Sequence, residues 1–314
     1  MGNSNSCLKS RETRSKSQLV PNQLSEGVSP EVVNEEEQEL AYYLSNNDLN
    51  DIDRQHMHNF IIKYLFQGNF SAPVEEKLTL GCKVLDVACG PGTWLLDLAT
   101  IYDKSNFFGL DIKPVFPKEP VFPKEIKPCN LEFIEADIFD GLPFRDNEFD
   151  FTHIESMVNI LTTEQWNFTL SELIRVTKPG GYIEITDLYL NIDKSSPNFY
   201  TIYKGFYKSC LKRNVNIRSI IHLNSILESH QNIGVVHHDE KIVTFGPHGG
   251  KPGLVYQEVV ILFLTTNRAI KDLSAEIGIS EEKFKEIVES LKEDLKENKT
   301  SKGHVLRFWT QKIC

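Results

Sequence analysis

The sequence predicts an α/β fold built on a mainly parallel sheet with helices on both faces. Three observations predict it. From residue 83 onward, short apolar runs of strand length alternate with runs of helical periodicity. The strand runs "KVLDV" and "FFGLDI" are apolar almost throughout, the composition of strands buried on both faces. The first run then enters the glycine-rich turn "ACGPG" (88–92), where a strand feeds a helix.

The elements follow in chain order. Residues 1–40 read as a disordered tail, basic and rich in Ser and Asn at first, then acidic at "EEEQE" (35–39). Residues 41–70 form an N-terminal helical segment. Its helix spans "DIDRQHMHNFIIKYLFQG" (51–68), with Asp53 as cap, Met57, Phe60, Ile61, Tyr64 and Leu65 as the apolar stripe, and Gly68 as the stop. Residues 71–190 hold the core, with strands at 83–88, 106–111, 131–136, 148–154 and 180–187. Its helices lie near 92–102 and 163–176, the second opened by Thr162 and Gln165 at capping-box spacing. "KPGG" (178–181) reads as a turn launching the fifth strand. The tandem hexapeptide "PVFPKEPVFPKE" (114–125) carries four prolines, which exclude regular helix and predict an extended surface loop. Residues 191–314 complete the same domain with a helix-rich cover (197–230), a strand at 240–245, helices near 254–269 and 280–298, and a closing strand at 304–312.

Bulk composition narrows the function. A net charge of −10 argues against a nucleic-acid binder, which needs a basic face to neutralise phosphates. No apolar run reaches the ~18 residues of a membrane span. The cysteines are scattered without a C-x-x-C pair, the pattern of reduced thiols in a cytoplasmic protein. The opening "MGNSNSC" fits the myristoylation pattern at Gly2, places Cys7 for a second acyl chain, and is followed by Lys9, Arg11, Arg14 and Lys16. Two such signals are what stable peripheral membrane anchoring requires. A chance match in a featureless tail is the competing reading.

The glycine turn indicates the ligand. A dinucleotide fingerprint, G-x-G-x-x-G, would fall on Ala88, Gly90 and Thr93 and fails twice. Asp86 precedes the turn, Asp111 ends the second strand, and Asp137 follows the third. A carboxylate at Asp111 can take both hydroxyls of a ribose, each charge-assisted bond contributing roughly 1.5–3 kcal/mol. Asp137 is placed to accept from an adenine amino group. No Lys or Arg stands by the turn to hold a pyrophosphate, and Asp86 would repel one. The same acid suits a ligand bearing an ammonium and a sulfonium.

The series "VLDVACGPG", "GLDI", "EADIFDGLPFRDNEFD" and "LIRVTKPGGYIEI" resembles the class I S-adenosylmethionine-dependent methyltransferases in order and spacing. "NDIDRQH", "FDFTHIESM" and "FGPHGGKPG" are similar to the LaeA-like group, known mostly from fungal secondary-metabolism regulators and related enzymes. The resemblance implies a Rossmann-like seven-stranded sheet with S-adenosylmethionine as cofactor. It implies that Gly90 and Gly92 let the backbone approach the methionine part, beside Ala88 and Cys89, with Asp86 near its amino group. Asp111 and Ile112 would serve the ribose, and Asp137 with Ile138 the adenine. Ala88 stands where the family usually has its first glycine, and Glu155 where the LaeA-like group often has Arg.

The transfer needs alignment of nucleophile, methyl and sulfur, and a base only where the acceptor begins protonated. His153 and Glu155 at the fourth strand and Asp187 at the fifth are the candidates, with His153 as a satisfied core histidine the alternative. Phe199, Tyr200, Tyr203, Phe206 and Tyr207 either line an acceptor pocket or form the buried stripe of a helix. The expected activity is methyl transfer to an unidentified small-molecule or protein acceptor. Its rivals are a regulator that binds the cofactor and acts through a protein partner, and a nicotinamide dehydrogenase, disfavoured by the failed fingerprint.

Overall fold

The computed structural model describes residues 49–113, 115, 127–191, 196–297 and 301–314. The tail signals at Gly2 and Cys7, and the hexapeptide repeat apart from Val115, lie outside these residues.

Seven strands form one sheet: β1 (Lys83–Val87), β2 (Asn106–Asp111), β3 (Leu131–Glu135), β4 (Phe149–Glu155), β5 (Thr177–Asn191), β6 (His237–Thr244) and β7 (Lys302–Gln311). Their spatial order is β3-β2-β1-β4-β5-β7-β6. The first five run parallel, and β7 pairs antiparallel with both β5 and β6. The direction of winding reverses between β1 and β4, so a crevice opens beyond the carboxyl ends of those two strands. The sheet is thus the Rossmann-like seven-stranded arrangement that the sequence led us to expect.

Helices α1 (Leu49–Phe66), α2 (Glu75–Leu80), α3 (Thr93–Ile101) and α4 (Thr163–Val176) flank the core strands. On one face Trp94, Leu95 and Leu98 of α3 meet Val84, Phe107 and Phe151. On the other, Trp166, Leu170 and Leu173 of α4 meet Leu85, Phe149 and Ile183. Successive residues of one strand, such as Val84 and Leu85, thereby serve opposite cores, which is why the strand sequences are apolar throughout. The Thr162–Gln165 capping box is formed as expected: Thr162 Oγ1 accepts from Gln165 N at 3.2 Å and Gln165 Oε1 from Thr162 N at 2.9 Å.

The cover consists of α5 (Pro197–Lys212), α6 (Leu223–Glu228), α7 (Gly250–Leu264), α8 (Asn267–Ile277) and α9 (Glu281–Glu297). With Ile61 and Ile62 of α1, helices α5, α7, α8 and α9 close a third core over the β5–β7 side of the sheet.

Four expectations change. The buried face of α1 carries Ile61 and Ile62, while Phe60 and Tyr64 are 61% and 59% exposed. Asp53 lies inside this helix, which begins at Leu49. The "KPGG" segment is an irregularity within β5: pairing with β4 shifts between Phe149 and Phe151, and Gly180 has φ of 77°. Finally, the single helix expected near 254–269 is two, separated where Thr266 caps α8 by accepting from Ala269 N.

Candidate functional site

The cofactor half of the site grows from the end of β1. The chain leaves the strand through Ala88, Gly90 and Gly92, all at positive φ (57°, 52° and 74°), and enters α3 at Thr93. Gly92 fits because nothing larger can: a Cβ there would lie 2.4 Å from the Phe133 ring. Gly90 N donates to Asp111 Oδ2 at 2.8 Å and Lys113 N to Asp111 Oδ1 at 3.0 Å. The carboxylate at the end of β2 is therefore aimed by backbone, and each oxygen keeps a second lone pair for a ligand hydroxyl. Burial pushes Asp111 above the usual carboxylate range.

Asp137 lies two residues beyond the end of β3, where Asp137 Oδ1 accepts from Phe139 N at 2.9 Å and sets the short turn Ile138–Asp140. Ile112 and Ile138 line the cavity between these acids, and Cys89 faces it from the loop. Asp86 Oδ1 meets His153 Nδ1 at 2.8 Å, and the His153 ring stacks on Trp94 with centroids 4.1 Å apart. Burial raises Asp86; for His153 burial opposes charge, but the carboxylates of Asp86, Glu155 and Glu184 together outweigh it and the imidazole is raised. Both effects keep a proton on the pair.

The donor set suits S-adenosylmethionine. Glycine backbone lies where the methionine part would run, with acids at the ribose and adenine ends. Among the described lining residues Arg54 is the one Lys or Arg, and its Nε is bound to Asp51 Oδ1 at 2.7 Å. A pyrophosphate would thus face carboxylates, with the one cation of the described lining already paired to Asp51.

The same cavity, of about 400 Å³, continues past Glu155 beneath the cover. Glu155 ends β4 and Ser156 follows it at φ of 64°. His58 Nε2 of α1 lies 2.9 Å from Ser156 Oγ and 3.9 Å from Glu155 Oε1, and its ring meets Tyr256 of α7 edge-on at 5.9 Å. Burial, then the nearby Arg54, pushes His58 down to about 4, while burial pushes Glu155 and Asp187 each up to about 7. Glu155 Oε2, the Tyr256 hydroxyl and His153 Nε2 are buried and make no hydrogen bond to a described residue.

Asp187 differs from expectation. It sits within β5, which the antiparallel β7 extends to Asn191, and is paired in register with Leu306. Its oxygens accept from Val158 N and Leu188 N, both at 2.7 Å, so this carboxylate braces the segment after β4. Of the aromatics on α5, Phe199, Tyr203 and Phe206 line the cavity, whereas Tyr200 is 45% exposed. Sequence reasoning missed His58 and Tyr256. His58 follows His56 in "HMH", a faint signal, and Tyr256 lies in the apolar run "LVYQEVV" with none.

Residues 84–181 match a family model described as a methyltransferase domain. The chain is 26% identical over 283 residues to N-methyltransferase verN of Clonostachys rogersoniana, spanning 87% of this chain and 93% of that protein. It is 30% identical over 132 residues to demethylmenaquinone methyltransferase of Bacillus pumilus, covering 40% of this chain and 51% of that protein. Phosphoethanolamine N-methyltransferase 2 of Haemonchus contortus, solved with S-adenosyl-L-methionine, aligns with a TM-score of 0.47 and 15% identity over 82% of this chain and 57% of its own. Residues 84–181 thus carry the match to a methyltransferase domain, on a sheet of Rossmann-like strand order whose loop and acids suit S-adenosylmethionine.

Proposed function

We propose that this chain transfers a methyl group from S-adenosylmethionine to a small molecule enclosed between the sheet and its helical cover. The observation that carries the reading is that one cavity is lined both by the cofactor loop with its acids and by the apolar wall of α5 and α7. The cofactor supplies an electrophilic methyl on a sulfonium: the acceptor's lone pair forms the new bond as the methyl–sulfur bond breaks, and that pair stays on sulfur.

The residues have distinct parts in this scheme. Asp111 and Asp137 orient the ribose and adenine. His153 positions Asp86, and Asp187 positions the segment 156–161, so neither needs to touch the acceptor. Glu155 is the group that meets it. The LaeA-like assignment is supported by the placement of its three segments. Arg54 and Gln55 of "NDIDRQH" and Glu155, Ser156 and Met157 of "HIESM" line the cavity, and "GPHGGKPG" opens α7, which carries Tyr256. The name of verN supports nitrogen as the methylated atom.

The test is incubation of the full chain with S-adenosylmethionine and a panel of small phenols, amines and acids, followed by mass spectrometry. A methylated product with stoichiometric S-adenosylhomocysteine is the expected result. Cofactor binding with no turnover, together with a recovered protein partner, would favour the regulatory role instead. Acylation at Gly2 and Cys7 is a separate proposal about location, supported by the N-terminal pattern and tested by mass spectrometry of the native N-terminus. No described helix is long and apolar enough to cross a membrane.

A further inference from the structure

The acceptor half of the cavity holds polar groups that the cofactor leaves unused. Tyr256 is fully buried and its hydroxyl makes no hydrogen bond to a described residue; Glu155, whose charge acts on it, keeps Oε2 buried and likewise without one. Unpaired buried polar atoms are costly, so a ligand that satisfies both is selected by that deficit. The surroundings define its charge. Glu155 and Asp187 are both carboxylates, and Arg54, the one described Lys or Arg along the cavity, is bound to Asp51. Arg307 is spent elsewhere, 3.4 Å from Glu184 and stacked over Phe66. The remaining wall is apolar and largely aromatic: Phe199, Ile202, Tyr203, Phe206, Val259 and Phe263.

We propose that the acceptor is an amine on an apolar, ring-sized scaffold, its nitrogen seated between the Glu155 carboxylate and the Tyr256 hydroxyl and its carbon body against α5 and α7. This rests on the preceding assignment of the cavity as a methyl-transfer site. An amine arrives mostly as the ammonium, which cannot attack. One N–H donates to Glu155 Oε2 and another to the Tyr256 hydroxyl oxygen. The first proton then passes to Glu155: the N–H bond breaks, an O–H bond forms, and the electron pair stays on nitrogen, free for transfer. The methylated product departs as a cation and Glu155 returns its proton to solvent. Glu155, raised to about 7 by burial, is a stronger base than a free carboxylate and suits this task. The charged groups acting on it are His153, Arg307, Asp86 and Asp187, with His58 alongside. His58, held near 4, stays neutral and does not repel the incoming cation. A carboxylate or phosphate ligand in this place would face two acids, with Arg54 already paired to Asp51 through its Nε.

The experiment is calorimetric titration of the full chain, saturated with S-adenosylhomocysteine, with three indoles that differ in the end group: tryptamine, tryptophol and indole-3-propionate. Tryptamine is expected to bind at least tenfold more tightly than tryptophol, with the propionate weakest. Glu155→Gln should cut the amine advantage to threefold or less with S-adenosylhomocysteine affinity unchanged, and Tyr256→Phe should weaken tryptamine three- to tenfold. Equal or reversed ranking, or no binding of any of the three to the loaded chain, overturns the proposal while leaving the cofactor site intact. Failure of S-adenosylhomocysteine itself to bind removes the cofactor assignment, and the amine proposal falls with it.

Discussion

Ala88 occupies the left-handed region, at φ of 57°, in the turn that the cofactor approaches. An L-residue with a Cβ pays roughly 1–2 kcal/mol there, and glycine would give back about 0.4–1 kcal/mol through the freedom of the unfolded chain. Relief exceeds loss, so Ala88→Gly should stabilise the protein by about 0.5–1 kcal/mol, read as a shift in urea midpoint. Glu155 gives a second expectation at this scale. Its pKa is about 7 in the folded chain against 4.5 for the free group. The unfolded chain therefore ionises first as pH rises, so stability from this residue is full below about 4.5 and is lost towards 7. Urea midpoints taken from about pH 5 to about pH 8 should fall more for the wild type than for Glu155→Gln, which removes the titration. Parallel curves would mean that Glu155 is not desolvated. On the proposed proton transfer to Glu155, turnover should move the other way, rising with pH through the same interval, because the carboxylate is the form that accepts a proton.

At the scale of elements, "GPHGGKPG" shows how a loop can serve a site it does not enter. Gly246 N donates to Gly253 O at 2.9 Å, and a Cβ on Gly253 would lie 2.3 Å from Thr244 O and 2.4 Å from Gly246 O. Both obstacles are backbone and cannot swing aside. The glycines thus let the first turn of α7 rest directly on the end of β6, which fixes where Tyr256 falls one turn later. Gly253→Ala should cost about 1–3 kcal/mol by overpacking and weaken acceptor binding more than cofactor binding. Unchanged stability would show that α7 is not held by this contact. Elements that depend on local chemistry were legible in the sequence, as with α4 and its Thr162–Gln165 box. The face of α1 was not. In "NFIIKYLFQ" apolar residues occur all round the helix, and only packing against the cover selects Ile61 and Ile62 over Phe60 and Tyr64. The shift of register in β5 was equally hidden, since "KPGG" has the composition of a turn and becomes a bulge only through its partner β4.

For the whole molecule, the order β3-β2-β1-β4-β5-β7-β6 gathers at one end of the sheet what the sequence spreads from Arg54 to Tyr256. The acids Asp86, Asp111 and Asp137 could be found beforehand because each lies at or just beyond the end of a strand that is itself recognisable. Glu155 could be found in the same way, and the aromatics of α5 as one of two readings, but His58 and Tyr256 could not. His58 and Ser156 are 98 residues apart in sequence, and Tyr256 comes from a helix whose pattern announces only burial. This Rossmann-like sheet thus announces its cofactor loop locally and assembles the rest of the cavity by tertiary packing. The most direct measurement of the central claim is calorimetric titration of the full chain with S-adenosylmethionine, S-adenosylhomocysteine and NAD, repeated on Asp111→Ala. Binding of both sulfur ligands and not NAD, weakened at least about tenfold by the substitution, is the expected result. A folded chain that binds neither sulfur ligand, or binds them equally well without the Asp111 carboxylate, would contradict the account.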